Sequence, residues 1–130
     1  MKLRNLPLLT LLFLLPAAVK AGPIEKIAEL IKQGNAHEIA TYFAGSVDVT
    51  IANEAGVYSK AQAEIMLDKF FKDNKAHTIK LVHKLVSNAN YNYAVLVLST
   101  DKGKYRIAYT LKENAKVMEI IEMRIEAEKT

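Results

Sequence analysis

No cysteine occurs among the 130 residues. That absence excludes disulfides, thiolate nucleophiles, Cys-based zinc sites and a lipid-modified Cys, so stability has to come from a packed core. Glycine is sparse and never clustered: the five lie singly at 22, 34, 45, 56 and 103, which leaves no Gly-rich loop to cradle a phosphate. Beyond residue 21 the only arginines are Arg106 and Arg124, too few to converge on a nucleic-acid backbone. No second long apolar run follows the first, and there is no internal repeat, low-complexity tract or linker to divide the chain.

The one long apolar run opens the sequence. Lys2 and Arg4 precede the block Leu6 to Leu15, and Pro16, Ala17, Ala18, Val19, Lys20 and Ala21 close it. A basic start, an apolar middle and small residues at the end are the three parts of a secretory signal peptide. The expected domains are therefore a leader over 1–21, cut after Ala21, and one domain over 22–130, exported to the periplasm or beyond with no stable membrane insertion. The competing cut lies after Ala18. The leader carries three of the chain's 18 basic residues and none of its 14 acids, so a net charge of +4 falls to +1 without it.

Periodicity splits the remainder in two. Ile24, Ile27, Ala28, Leu30 and Ile31 recur at helical spacing behind Pro23, which suits a first helical position. Gly34 and Asn35 punctuate that helix. Ile39, Ala40, Tyr42 and Phe43 predict a second short helical face ending at Gly45. Val47, Val49 and Ile51 then alternate with polar residues, which predicts a strand, turned by Asn53 to Gly56 and returning through Val57 and Tyr58. Ser59 and Gln62 form a capping box ahead of a helix with the apolar face Ala63, Met66, Leu67, Phe70 and Phe71. Four strands follow, over 76–87, 90–100, 103–112 and 116–127, joined by connections too short for anything but antiparallel neighbours. Long strands twist, and their apolar face needs a cover. The predicted fold class is α+β, a curved antiparallel sheet packed against N-terminal helices.

That order of elements resembles the cone-shaped fold of nuclear transport factor 2 and ketosteroid isomerase. More specifically, Tyr42-Phe43-Ala44-Gly45-Ser46-Val47, Tyr58-Ser59-Lys60-Ala61-Gln62-Ala63-Glu64, Phe70-Phe71, Lys80-Leu81-Val82-His83-Lys84 and Met123-Arg124-Ile125-Glu126 resemble an exported family labelled domain of unknown function 4783, in the same superfamily. The likeness runs from Ile24 to Glu128. Leu85 stands where that family commonly has Gly after the His-Lys pair. The resemblance implies the cone architecture and an exported location, and brings no activity with it.

A sheet wrapped around helices leaves a concavity at its open end, and concavities are where ligands sit. Strict alternation puts His77, Ile79, Leu81, His83 and Leu85 on one face, so His83 becomes a titratable ring in an apolar row. The functional reading makes it a pocket residue; the structural one makes it a core histidine hydrogen-bonded to a backbone or Tyr partner. Tyr91 and Tyr93 share a face with Val95 and Val97, and Tyr105 and Tyr109 share one with Ile107 and Leu111. Tyrosine suits the polar rim of an apolar pocket, and cross-strand aromatic packing is its ordinary alternative. The residues expected to line a pocket are Tyr42, Phe70, His83, Tyr93 and Tyr109.

Catalytic chemistry is poorly supplied. Asp48 alternates with Val47 and Val49 and should face solvent, while Glu54 falls in a turn. Ile120 and Ile121 break alternation, so a bulge or a strand buried on both faces is expected there, and a bulge would re-aim Glu119 or Glu122. His77 and His83 stand about 20 Å apart along one strand, too far to share a metal ion. The function expected is a non-catalytic domain that binds a small apolar ligand or a partner protein, with a homodimer through the sheet face as one form of partnership. No cofactor or nucleic acid is expected. The alternative is a cone-fold enzyme of isomerase or lyase type using His83 with a pocket Tyr.

Overall fold

The computed structural model describes residues 22–87 and 90–129. The expected leader, with either cleavage point, lies outside the described residues, as do Asn88 and Ala89, between the expected strands 76–87 and 90–100. Three helices and six strands follow one another: α1 Pro23–Gln33, α2 Ala36–Ala40, β1 Phe43–Ile51, β2 Glu54–Ser59, α3 Lys60–Asp73, β3 Ala76–Val86, β4 Tyr91–Thr100, β5 Gly103–Asn114 and β6 Val117–Ala127.

Helix α1 begins with Pro23 in its first turn and carries Glu25 at the positive end and Lys32 at the negative end of its dipole. It stops at Gly34, whose left-handed φ of 68° lets the Gly34 and Asn35 amides bond back to the Ile31 and Leu30 carbonyls. Asn35 immediately caps α2, its Oδ1 accepting the Glu38 amide at 3.1 Å. The expected second helical face is shorter than the spacing suggested. The helix ends at Ala40, and Phe43 opens β1, whose strand runs straight through Gly45. Glycine without positive φ offers no stop, and burying Phe43 against Ile120 of β6 outweighs its local helical pattern. The β1–β2 turn is also tighter than expected. It consists of Ala52 and Asn53, because Ile51 and Glu54 already pair.

The capping box at α3 is complete: Ser59 Oγ accepts the Gln62 amide at 3.2 Å and Gln62 Oε1 accepts the Ser59 amide at 3.2 Å. At the other end, Asn74 is buried with its side-chain nitrogen and oxygen both hydrogen-bonded. Its side-chain amide donates to the Phe70 carbonyl at 2.9 Å and its Oδ1 accepts the Tyr105 hydroxyl at 2.8 Å. The helix is thus closed off by the sheet it packs on.

The strands form one sheet in the order β2-β1-β6-β5-β4-β3. It is mixed rather than wholly antiparallel, since β1 runs parallel to β6. The chain can do this because α3 and the three-hairpin meander separate the two strands, the long crossover that a parallel pair requires. Both ends of the sheet are open edges, β2 and β3. The helices cover one face: α1 lies over β3 and β4, and α3 over β1 and β2. Ile24, Ile27, Ile31, Ile39, Leu67, Phe71, Leu96, Leu98, Ile107, Leu111, Ile120 and Ile125 fill the space between.

Two bulges decide which way the later side chains point. Ile121 is the extra residue in β6, flanked by the pairs Leu111 with Ile120 and Thr110 with Glu122. Of the two alternatives expected here, a bulge or a strand buried on both faces, the structure has the bulge, and it turns Glu122 to the outer face, within 3.4 Å of the Thr110 hydroxyl. In β3, besides a register shift at His77, Val82 is an extra residue, because Leu81 pairs with Leu96 and His83 with Val95. An extra residue reverses the alternation beyond it. His83 and Leu85 therefore share the outer face with Tyr93, whereas Lys84 faces the helices and forms an ion pair with Glu25. That pair, hydrogen bond first, holds the Glu25 carboxyl below its ordinary value.

Candidate functional site

The five expected pocket residues are dispersed by the fold. Tyr109 is wholly buried beneath α1, where its hydroxyl donates to the Ile24 carbonyl at 2.7 Å. Burial first, and the nearby Glu25 charge second, push its phenol well above the ordinary tyrosine range. Tyr93 is on the opposite face of the sheet, since its neighbour Ala94 is the residue that pairs with Tyr109. His83 is exposed at the edge strand, edge-on to Tyr93 with ring centroids 6.3 Å apart. Its apolar row does not form: Leu81 is 38% and Leu85 56% exposed, because β3 has no neighbour beyond it. Tyr42 is half-buried beside a shallow depression between α1 and α2 with Glu29, Leu30 and Glu38. Phe70 alone of the five lines an apolar recess between α3 and the β1–β2 turn.

That recess holds about 430 Å³ and lies on the helix side of the sheet. One wall is α3, through Ile65, Met66, Lys69 and Phe70; the other is the β1–β2 turn, from Ile51 to Glu54; Tyr105 of β5 closes the back. The helical spacing of Ile65, Met66 and Lys69 brings this side of α3 over the gap, while Phe70 and Phe71 turn into the core. The Phe70 and Tyr105 rings meet edge to face, centroids 4.9 Å apart and planes at 88°. Tyr105 hangs from Asn74, so the polar atoms at the back are fixed before anything enters. The rim carries Glu54 and the Lys69–Asp73 ion pair at 3.2 Å. An apolar floor, a few convergent polar groups and a charged rim are the ordinary make-up of a small-molecule site.

Sequence reasoning named Phe70 and missed Ile51, Met66 and Tyr105 as neighbours of one cavity. The missing signal is the β1–β6 pairing, which carries the β1–β2 turn to the end of α3. Ala52 at the mouth sits at a positive φ of 56°, a conformation unfavourable for a residue with a Cβ, and is held there as its amide bonds to the Ile125 carbonyl at 3.0 Å.

The titratable residues elsewhere are dispersed. His37 pairs across α2 and α3 with Glu64 at 3.0 Å, and the hydrogen bond and charge of that carboxylate raise its pKa. Asp48 is exposed on β1 as expected. Among the described residues no three His, Asp or Glu side chains stand close enough to hold a metal ion, and no helix is long and apolar enough to cross a membrane.

Comparison with known proteins adds the architecture's relatives. A model of the family described as Domain of unknown function (DUF4783) matches residues 24–126. A DUF4783 family protein from Bacteroides uniformis superposes with a TM-score of 0.79 at 22% identity, covering 84% of this chain and all of that one. Its counterpart from Bacteroides ovatus gives 0.75 at 20% identity, covering 80% and 94%. A third, from Bacteroides fragilis, gives 0.73 at 24% identity over 78% and 95%. No curated protein matches the chain.

Proposed function

From the premise that this chain belongs to the DUF4783 family, within the nuclear transport factor 2-like superfamily, we propose that it is an exported, non-catalytic domain that binds a small apolar molecule. The binding place is the recess between α3 and the β1–β2 turn. The observation that carries this reading is the recess itself: walls of Ile51, Met66, Phe70 and Tyr105 around about 430 Å³, with polar atoms held at the back and rim. Export rests on the three-part leader of residues 1–21. The enzyme alternative calls for His83 beside a pocket Tyr. His83 and the recess lie on opposite faces of the sheet, which favours binding over turnover by that residue.

The test uses N-phenyl-1-naphthylamine, an uncharged apolar fluorophore. Its emission should rise on mixing with the protein, and Met66→Trp, which fills the recess, or Ile65→Glu, on its exposed wall, should abolish the rise. Leu85→Lys on the outer face should leave it intact. A response lost in Leu85→Lys and kept in the two recess variants would overturn the reading.

A second reading, pairing of two copies through the outer sheet face, is favoured by exposed Val82, Leu85 and Tyr91 beside half-buried Tyr93. Solution scattering should then give twice the chain mass, reverting to the chain mass in Leu85→Lys.

A further inference from the structure

We propose that the outer face of the sheet carries an oxyanion site, built for a phosphate or sulfate group, at the end formed by β3, β4 and β5. The residues come from neighbouring strands in strict register. Thr78 pairs with Ser99 and Ser99 with Lys104; one step along, Lys80 pairs with Val97 and Val97 with Arg106. Residues paired across a sheet point to the same side. Three cations and two hydroxyls therefore surround the short side chain of Val97, leaving a depression of about 400 Å³ that Val82 and Glu128 complete.

The charge balance of this depression is unlike that of the chain. Residues 22–130 carry a net charge of only +1, yet Lys80, Lys104 and Arg106 face one carboxylate, Glu128, which reaches Arg106 at 3.5 Å. Glu126, paired in register with Arg106, turns its carboxylate to Arg124 at 3.4 Å. Among the described residues Lys80 and Lys104 have no carboxylate partner, and the Thr78 and Ser99 hydroxyls have no hydrogen-bond partner. Like charges gathered on adjacent strands repel one another. A tetrahedral oxyanion seated over Val97 removes that repulsion, offers acceptors to every unused donor, and matches the guanidinium fork of Arg106. The site is independent of the apolar recess, being on the other side of the sheet.

The experiment follows amide and side-chain NMR shifts of the protein on adding inorganic phosphate and, separately, vesicles of phosphatidylcholine doped with phosphatidic acid. Shifts should centre on Lys80, Val97, Ser99, Lys104 and Arg106. The double variant Lys80→Gln with Lys104→Gln should bind about tenfold more weakly, and Lys60→Gln, on α3, as tightly as the parent. Lys60, Lys80 and Lys104 are exposed, and an unchanged amide spectrum confirms that each variant is folded. A response to free phosphate identifies a soluble ligand, and a response to the vesicles alone identifies a lipid headgroup; either, weakened by the double variant, upholds the site. No response in either arm, or one equally strong in the double variant, overturns it.

Discussion

Tyr109 shows how one side chain serves two purposes. Its ring fills the space between β5 and α1, and its hydroxyl fixes the first turn of that helix through the Ile24 carbonyl. Tyr109→Phe keeps the ring and should cost about 1 kcal/mol, the net worth of one hydrogen bond, read from urea unfolding. The phenol's raised pKa adds a pH dependence. Because the folded protein holds the proton more tightly than the unfolded chain, the stabilisation is complete below the unfolded value of about 10 and is lost as pH rises above it. Unfolding midpoints should therefore fall on the alkaline side of that value in the parent, and fall distinctly less in Tyr109→Phe. The sequence identified Tyr109 as an inward-facing tyrosine. It did not reveal that Tyr93, one residue out of phase with Tyr109 across the β4–β5 pair, faces the other way, because the relative register of two strands is a property of their pairing and of neither strand alone.

At the scale of elements, most of the fold was legible. The apolar spacing of α1, the Ser59–Gln62 box, the Phe70–Phe71 helix face and the four long strands were readable because each depends on residues close in sequence. The Ile120–Ile121 bulge was legible as one of two alternatives, since two adjacent apolar residues in an alternating strand mean either a bulge or burial on both faces. The Val82 bulge was not: Leu81, Val82, His83 keeps a plausible alternation on paper, and only the pairing with Leu96 and Val95 exposes the extra residue. Lys84 is the clue in hindsight, a cation that lands on the helix-facing side where Glu25 waits. Deleting Val82 should restore an ordinary ladder from Thr78 onward, with every other β3 side chain on its present face. That variant should stay folded, with a melting temperature close to the parent's. Deleting Val97, which is paired on both sides in the same sheet, should shift one half of β4 by a residue, turn its core side chains outward and prevent folding. Equal melting behaviour of the two deletions by circular dichroism would refute the bulge assignment.

For the whole molecule, the recess and the outer face were the least legible features, because both are assembled from strands and helices distant in sequence. Ile51, Met66 and Tyr105 have nothing in their local patterns to mark them as neighbours. The exported, 22–130 form of the chain should have an intact mass lacking residues 1–21, with Gly22 at its start; retention of the leader in the exported product would remove the basis for the charge of +1. The parallel contact of β1 with β6 has one more consequence, for the order in which the molecule can be made. Of the six described strands, β6 leaves a ribosome or a translocation pore after the other five, and β1 before them. Until β6 arrives, the β1–β2 hairpin has no neighbour in the sheet, and Phe43, Val49 and Ile51 have nothing on that side to pack on. The β1–β2 hairpin and the β3–β4–β5 strands are thus two parts of the sheet that only β6, seated between β1 and β5, makes continuous.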